Sequence, residues 1–325
     1  MFKKIIPLTL LVGSLFVSVA HAAEKLTVGL IATTSIEDTR KRWQPLLDDL
    51  AKSTGTEVTA AISSNYSEIV TGLKENKIQV AWLSSKVALD AVEDGKATVF
   101  AQMVKSDGSR GYNSLLIASS KSPLTNFDQV SAKPGTYVFS DGDKKSTSGY
   151  LVPAYYLFAK NKIDINKLFK KVNVGNHQSN FAAVTQGEAD VATFNSEEMD
   201  RLKKEAPEQI GKVRVIWTSP LIPNDPILYR KDLSPALKTR IEDFFINYGK
   251  QKQAQAVLKD ILNLSGFQRS TDAQLKPIAD LTLFSLLREN LNNPSLTDAQ
   301  KQKKFDEVSA RFGKLSFVLE ASRIK

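Results

Sequence analysis

Three consecutive hydroxyl residues, Ser146, Thr147 and Ser148, stand before Gly149 at the start of a predicted helix. A Gly/Asp/Lys-rich turn precedes them, and an apolar run that ends at Ala159 follows. Ser and Thr at a helix cap bond to the free amides of the first turn, and those amides also attract tetrahedral oxyanions. The motif therefore predicts either a simple helix cap or a binding site for a phosphate-like anion.

Other polar residues stand where predicted strands lead into predicted helices. Tyr66, Ser84, Ser85 and the segment 195–197 lie at such junctions, and open α/β sheets bind their ligands beyond the carboxyl ends of the strands. Glu197 also falls in the first turn of a predicted helix, where the helix dipole favours a carboxylate without any ligand. A structural role and a binding role for Glu197 both stay open.

His177 and Asp225 are candidates from predicted loops. His21 falls in the predicted signal peptide, so His177 is the one imidazole of the mature chain and a multi-histidine metal site is excluded. His177 could be a structural donor or a ligand contact. Asp225 lies in the proline-rich segment 220–226, which is also ordinary turn chemistry.

Enzyme motifs do not fit this set of residues. Ser148, His177 and Asp225 could suggest a hydrolase triad, but Ser146 occupies the first glycine position of a G-x-S-x-G elbow. The segment 142–149 lacks the Gly-Lys-Ser/Thr ending of a P-loop. We expect a binding protein rather than an enzyme, with no cofactor and no metal.

The N-terminus has the pattern of a cleavable signal peptide, residues 1–22. Lys3 and Lys4 precede an apolar stretch that ends at Ala20-His21-Ala22, a small-x-small cleavage site. The chain contains no cysteine, which excludes disulfides, thiol nucleophiles, Cys-based metal sites and a lipid-modified cysteine anchor. We expect a soluble mature protein in a Gram-negative periplasm.

From the charge of the chain, we do not expect nucleic acid as a partner. The formal net charge is +9, and removing Lys3 and Lys4 leaves +7 with basic and acidic residues interspersed. Some 300 residues exceed the usual size of a single core, which predicts two domains.

Strand and helix patterns alternate in two stretches, which is typical of an α/β fold with largely parallel sheets. Apolar runs at 114–119 and 213–219 are predicted to carry the chain between two lobes as a hinge. The predicted first lobe spans residues 23–116 and 217–325, and the second spans 117–216. The patterns predict strands at 26–31, 58–62, 78–83, 137–140 and 189–194, and helices at 36–52, 66–75, 148–160, 181–186, 235–247, 251–262, 272–288 and 297–312. The last helices are expected to pad the lobes, and the final one could pair with a second copy of the chain.

Several of these segments, taken in order, resemble the periplasmic phosphonate-binding component of an ABC importer. The resemblance covers essentially the whole mature chain and is most specific at 146–153, 191–197 and 219–226, with further matches at 100–102 and 108–112. It implies a two-lobed type II periplasmic binding protein with two α/β domains, a two-strand hinge and a helical C-terminal region. Leu83-Ser84-Ser85 departs from a Tyr-Gly-Asn sequence that is frequent in the family.

The resemblance also implies roles at matching positions. Ser146, Thr147 and Ser148 match the hydroxyls that hold the phosphonate, and His177 matches the family histidine. Two cleft tyrosines match Tyr66 and Tyr112, and the carboxylates that meet a substrate ammonium match Glu197 and Asp225.

The implied ligand is a zwitterion such as 2-aminoethylphosphonate, captured between the lobes and delivered to a membrane permease. The alternative is a binder of another phosphonate, phosphite or a related small oxyanion. Such a binder would keep the hydroxyls but not depend on Glu197 and Asp225. A receptor accessory that presents ligand to a sensor is a third class.

Overall fold

The computed structural model describes residues 25–324, so the predicted signal peptide lies outside the described residues. The strands are β1 (Lys25–Ile31), β2 (Glu57–Ser63), β3 (Val80–Trp82), β4 (Ala97–Lys105), β5 (Gly111–Tyr112), β6 (Ser114–Ser119), β7 (Val138–Gly142), β8 (Lys171–Gly175), β9 (Val191–Asn195), β10 (Val213–Thr218), β11 (Ile222–Pro223), β12 (Pro226–Arg230) and β13 (Leu264–Arg269). The α-helices are α1 (Ile36–Thr54), α2 (Tyr66–Lys74), α3 (Ser85–Glu93), α4 (Phe127–Ser131), α5 (Ile165–Leu168), α6 (His177–Gln186), α7 (Ser196–Glu205), α8 (Pro207–Ile210), α9 (Pro235–Asn247), α10 (Lys252–Leu262), α11 (Lys276–Asn292) and α12 (Asp298–Ala321). Two π-helical stretches, Thr147–Leu151 and Ala154–Ala159, and two 3₁₀ turns, Asp272–Leu275 and Ser322–Ile324, complete the elements.

Two sheets form the centres of two lobes. The first has six strands in the order β13-β4-β12-β3-β1-β2, and the second has five in the order β10-β6-β9-β7-β8. β1 is parallel to β2 and β3, whereas β12 and β13 join the first sheet antiparallel. The second sheet is mixed in the same way. The expectation of largely parallel sheets holds for strand direction, because four strands of each sheet run the same way, whereas β12 and β13 in the first sheet and β6 in the second run opposite to them.

The chain passes between the lobes through residues 106–113 and 219–225. β5 and β11 lie in these two crossings and pair with each other as a separate two-stranded sheet. The runs predicted to cross, 114–119 and 213–219, instead form β6 and β10, which are neighbours in the second sheet. Their apolar sequences reflect burial in that sheet rather than a hinge.

Apolar side chains cover both faces of the first sheet. Val80 and Trp82 contact one core, where Trp82 stacks on Trp43 of α1 at 5.1 Å between ring centroids. Ala81 faces the opposite core, beneath α2, α3, α11 and α12. This alternation follows the two-residue period of a strand. It places the end of β3 and the loop after it at the edge that faces the second lobe.

Two local expectations are corrected by the backbone. The helix predicted over 148–160 begins at Thr147 and contains π-helical turns, in which the amides of Leu151 and Lys160 bond to carbonyls five residues earlier. The sequence patterns predict only helices after residue 234, but β13 lies between the second and third of them and pairs with β4 as an edge strand. That pairing is a long-range contact, which local patterns do not record. Among residues 25–324, no helix combines the length and apolarity that a bilayer span requires.

Candidate functional site

The predicted hydroxyl motif forms the start of the first π-helical stretch. Ser146 is its N-cap residue, and the Ser146 hydroxyl accepts a hydrogen bond of 3.0 Å from the amide of Gly149. The Ser148 hydroxyl lies 3.1 Å from Nε2 of His177. We call Ser146, Ser148 and His177 the hydroxyl cluster. The cap interpretation and the anion-site interpretation are compatible here, because the remaining first-turn amides have no acceptor within the helix.

His177 is the first residue of α6 rather than a loop residue. Asn176 and Ser179 form a capping box that begins this helix four residues before the predicted start at 181. His177 is buried, and its desolvation lowers the pKa to about 4. The imidazole is therefore neutral at neutral pH, so it can accept or donate a hydrogen bond without adding charge.

Two carboxylates from different segments approach each other in the cleft. Glu197 lies in the first turn of α7, and Asp225 directly precedes β12. The Tyr112 hydroxyl lies 3.3 Å from Oδ1 of Asp225 and donates to it. Burial, together with the nearby Glu197, raises the pKa of Asp225 well above its usual value, while Lys105 opposes the shift. We call Glu197 and Asp225 the acidic pair.

Fixed cations accompany two of the nearby carboxylates. Lys105, the last residue of β4, forms a buried ion pair with Glu197 and donates a 3.2 Å hydrogen bond to the carbonyl of Leu262. Glu198 pairs with Arg201 at 2.7 Å. Among the described residues, no Lys or Arg lies within ion-pair distance of Asp225.

The hydroxyl cluster and the acidic pair line one cavity between the lobes. It encloses about 320 Å³, including its opening to solvent. The lining residues are Thr33, Tyr66, Trp82, Ser84, Tyr112, Ser146, Ser148, His177, Asn195, Glu197, Glu198, Asp225 and Leu262. Seven of the eight predicted site residues are among them. Apart from Trp82 and Leu262, the described residues that line the cavity are polar or acidic, and none of them is a Lys or Arg.

Thr147 is the predicted residue that the structure does not bring to this cavity. Its hydroxyl accepts a 2.8 Å hydrogen bond from the backbone amide of Lys86 in α3. Tyr66, in contrast, is the first residue of α2 and lines the cavity. Burial raises the pKa of the Tyr66 phenol, which therefore stays protonated and can donate to an anion.

Several polar atoms in the cavity wall have no hydrogen-bond partner among the described residues. They are Nε1 of Trp82, Oγ of Ser84 and Nδ1 of His177, all buried. Trp82 Nε1 lies near Asp225, and the His177 ring lies near the carbonyl of Thr193, in both cases outside hydrogen-bond geometry. Because buried polar groups are normally paired, these atoms indicate contacts that a ligand or water would complete.

The sequence did not single out Thr33, Trp82, Glu198, Leu262 or Lys105. Trp82 ends β3, so the strand-end rule that selected Ser84 could have included it. Lys105 and Leu262 carry no local signal, because they approach Glu197 only through the packing of the two lobes. No group of three or more acidic or histidine side chains in residues 25–324 is arranged to hold a metal ion.

The fold and the interlobe cavity define a type II periplasmic binding protein. A crystal structure of a binding component of an ABC phosphonate transporter from Pseudomonas aeruginosa matches with a TM-score of 0.86 and 38% identity, covering 94% of this chain and all of that one. Residues 28–275 match the family described as ABC transporter, phosphonate, periplasmic substrate-binding protein. The chain belongs to this family, which is a transport family and not a family of enzymes.

One further relative agrees with this assignment, and a second protein agrees in fold. The phosphonates-binding periplasmic protein of Escherichia coli K12 is 42% identical over 305 residues, which cover 93% of this chain and 90% of the relative. A Prochlorococcus marinus protein solved with methylphosphonate has a TM-score of 0.71 at 22% identity, covering 79% of this chain and 97% of that one, and supports the fold alone. The protein is therefore a periplasmic phosphonate-binding component of an ABC transporter.

Proposed function

We propose that the preferred ligand is 2-aminoethylphosphonate, held in the interlobe cavity. The observation that carries this proposal is the presence of two complementary groups in one cavity, the hydroxyl cluster and the acidic pair. Ser146, Ser148 and the first-turn amides would hold the phosphonate oxygens, with Tyr66 and His177 beside them. Glu197, Asp225 and Tyr112 would surround the ammonium. The positions that match the family histidine and carboxylates, His177, Glu197 and Asp225, line this one cavity, which supports their roles in binding.

Charge should account for the difference in binding free energy between ligands with and without an ammonium group. A hydrogen bond to a charged group contributes roughly 1.5–3 kcal/mol, and a buried carboxylate without a partner is costly. A ligand without an ammonium leaves Asp225, the member of the acidic pair without a lysine or arginine partner among the described residues, uncompensated. Inorganic phosphate, phosphite and methylphosphonate should therefore bind more weakly than the aminophosphonate by about tenfold or more.

The test is calorimetry on the ligand-stripped mature chain, residues 23–325, with 2-aminoethylphosphonate, methylphosphonate, phosphite and phosphate. Ser146→Ala should weaken every ligand, whereas Glu197→Gln should weaken chiefly the aminophosphonate. Glu208→Gln, which changes an exposed carboxylate of α8, is the matched control. Equal binding of phosphite or methylphosphonate, together with no effect of Glu197→Gln, would replace this proposal with a binder of another oxyanion.

Export and delivery complete the proposal. Residues 1–22 are a cleavable signal peptide, and the loaded, closed lobes present their surface to the permease in the inner membrane. Across the cleft, Arg42 of α1 pairs with Glu205 of α7 at 2.9 Å, and Thr33 donates to Glu198 at 3.1 Å. These contacts between lobes support a hinge closure that a permease could recognise.

We also propose that a second copy of the chain binds the C-terminal helices. Phe284 and Leu291 of α11 are two helical turns apart, share one face and are 41% and 67% exposed, and Phe317 of α12 is 76% exposed. Light scattering during size-exclusion chromatography should show a dimer, and Phe317→Glu or Leu291→Glu should yield a monomer. A monomeric wild-type chain would contradict the proposal.

A further inference from the structure

Lys105 is one of two cations that balance the carboxylates around the cavity. Three carboxylates line the cavity, Glu197, Glu198 and Asp225. Glu198 has Arg201 as its fixed cation, and Glu197 has Lys105. Since Asp225 is the carboxylate without such a cation among the described residues, the full set carries one net negative charge when all its members are ionised.

Lys105 does not line the cavity itself but lies behind Glu197, which does. It belongs to β4 of the first lobe, and Glu197 belongs to α7 of the second, so their contact crosses the cleft. The Lys105 and Glu197 side chains are only 8% and 9% exposed. The second bond, from Lys105 Nζ to the carbonyl of Leu262, fixes the ammonium in this position. A buried cation held in this way neutralises its partner much more strongly than an exposed one.

We propose that Lys105 is a specificity-determining residue that neutralises Glu197 and leaves one negative charge, on Asp225, for a ligand with one ammonium group. This inference rests on the proposed function. It explains why two carboxylates can face a single ligand ammonium without leaving one of them unpaired. It also means that a phosphonate without an ammonium leaves one uncompensated carboxylate instead of two.

The role of Lys105 in specificity can be measured by comparing the affinities of two matched ligands. We define the selectivity ratio as the Kd of ethylphosphonate divided by the Kd of 2-aminoethylphosphonate, since the two ligands differ by the ammonium alone. Lys105→Met has similar length but no charge, so it leaves two negative charges at the acidic pair. The selectivity ratio should rise by about tenfold or more, because the ligand without an ammonium meets a second uncompensated carboxylate.

Companion variants separate charge from structure. Glu197→Gln leaves Lys105 opposite Asp225 and should lower the selectivity ratio. The double variant Lys105→Met/Glu197→Gln restores one net negative charge and should return the ratio towards the wild-type value. Lys105→Arg keeps the cation and should keep the ratio. Lys276→Met removes a lysine that pairs with Asp280 within α11 and serves as the remote control.

The experiment is calorimetry with both ligands on each variant at one fixed pH of about 7.5, so that the selectivity ratios of all variants are compared under the same conditions. Because the ratio is taken within one variant, a general loss of stability does not imitate the effect. A Lys105→Met ratio within twofold of wild type, with both ligands bound, would overturn the role of Lys105 alone. Failure of wild type to bind either phosphonate would instead overturn the proposed function, and this inference with it.

Discussion

The hydroxyl of Thr147 accepts a 2.8 Å hydrogen bond from the backbone amide of Lys86. Thr147 belongs to the second lobe, and Lys86 lies in the first turn of α3 in the first lobe. The N-cap residue of α3, Ser84, makes no side-chain cap bond of its own. Thr147 therefore supplies the cap of a helix across the cleft, and this cap depends on contact between the lobes.

Replacing Thr147 by Val removes this acceptor with little change in volume. Loss of a helix cap costs about 1 kcal/mol, so the closed state should lose stability by that amount and affinity should fall about fivefold. The loss should be equal for 2-aminoethylphosphonate and ethylphosphonate, because Thr147 acts on closure and not on the ligand. Calorimetry with both ligands measures it, and Thr239→Val, in which the lost hydroxyl bonds only within α9, is the control. A loss confined to one ligand would instead indicate direct contact.

Binding of an ammonium ligand should release a proton from Asp225. Burial and Glu197 raise the pKa of Asp225 well above its usual value, and the charged groups that face it are Glu197 and Lys105, with Tyr112 and Trp82 in contact. A bound ammonium favours the ionised carboxylate and lowers that pKa, so protons leave on binding and affinity rises with pH until the pKa of the free protein is passed.

Calorimetry in buffers of different ionisation enthalpy counts these protons. The ammonium also lowers the second pKa of the phosphonate, so the contribution of Asp225 is the proton release of wild type minus that of Asp225→Asn, both with 2-aminoethylphosphonate. This difference should reach up to about one proton, and it should be smaller with ethylphosphonate. Equal proton release by wild type and Asp225→Asn would show that Asp225 does not titrate with the ammonium.

Much of the candidate site can be predicted from the sequence, because ligands of α/β sheets bind where strands lead into helices, but part of the site cannot. Tyr66, Ser146, Ser148 and Glu197 each begin a helix or its first turn directly after a strand, so local patterns and family resemblance both indicate them. These residues carry their signal in their immediate neighbours along the chain.

Lys105, Glu198 and Thr147 show what the sequence did not reveal. Lys105 ends a strand of one lobe and meets Glu197 of the other, a contact between residues separated by 92 positions. Thr147 shares the hydroxyl motif, but its orientation is set by α3 of the opposite lobe. Each depends on how the two lobes pack against each other, and neither hydrophobic periodicity nor capping patterns encode that arrangement.

His177 should make stability depend on pH. Its folded pKa of about 4 lies below the ordinary value of 6.5, so the unfolded chain takes up the proton first as pH falls. The stability due to the neutral imidazole is complete above about pH 6.5 and is lost as pH falls towards 4. His177→Gln keeps a hydrogen-bonding side chain beside Ser148 without titrating. Between about pH 7.5 and 5, wild type should lose about 2 kcal/mol more stability than the variant. Urea unfolding at both pH values measures the difference, and equal losses would contradict a buried, neutral His177.

Gly142 should be essential because the end of β7 contacts the backbone of Gly149, directly after the three hydroxyl residues 146–148. A Cβ at Gly142 would lie 2.5 and 2.6 Å from backbone atoms of Gly149, and backbone cannot move aside as a flexible side chain can. Gly142→Ala must therefore displace the turn that holds Ser146 and Ser148. We expect a stability loss of about 1–3 kcal/mol and a weakening of about tenfold or more for every phosphonate.

Gly313→Ala is the control for this substitution. Gly313 lies within α12, where an added Cβ meets nothing within 4 Å, so alanine should raise stability by about 0.5–1 kcal/mol through helix propensity and leave affinity unchanged. Urea unfolding and calorimetry on both variants test the pair. If Gly142→Ala lost stability but kept its affinity, the hydroxyl motif could move with β7 as a unit. The phosphonate would then be held by the internal geometry of residues 146–149, and the support of that motif by β7 would matter for folding alone.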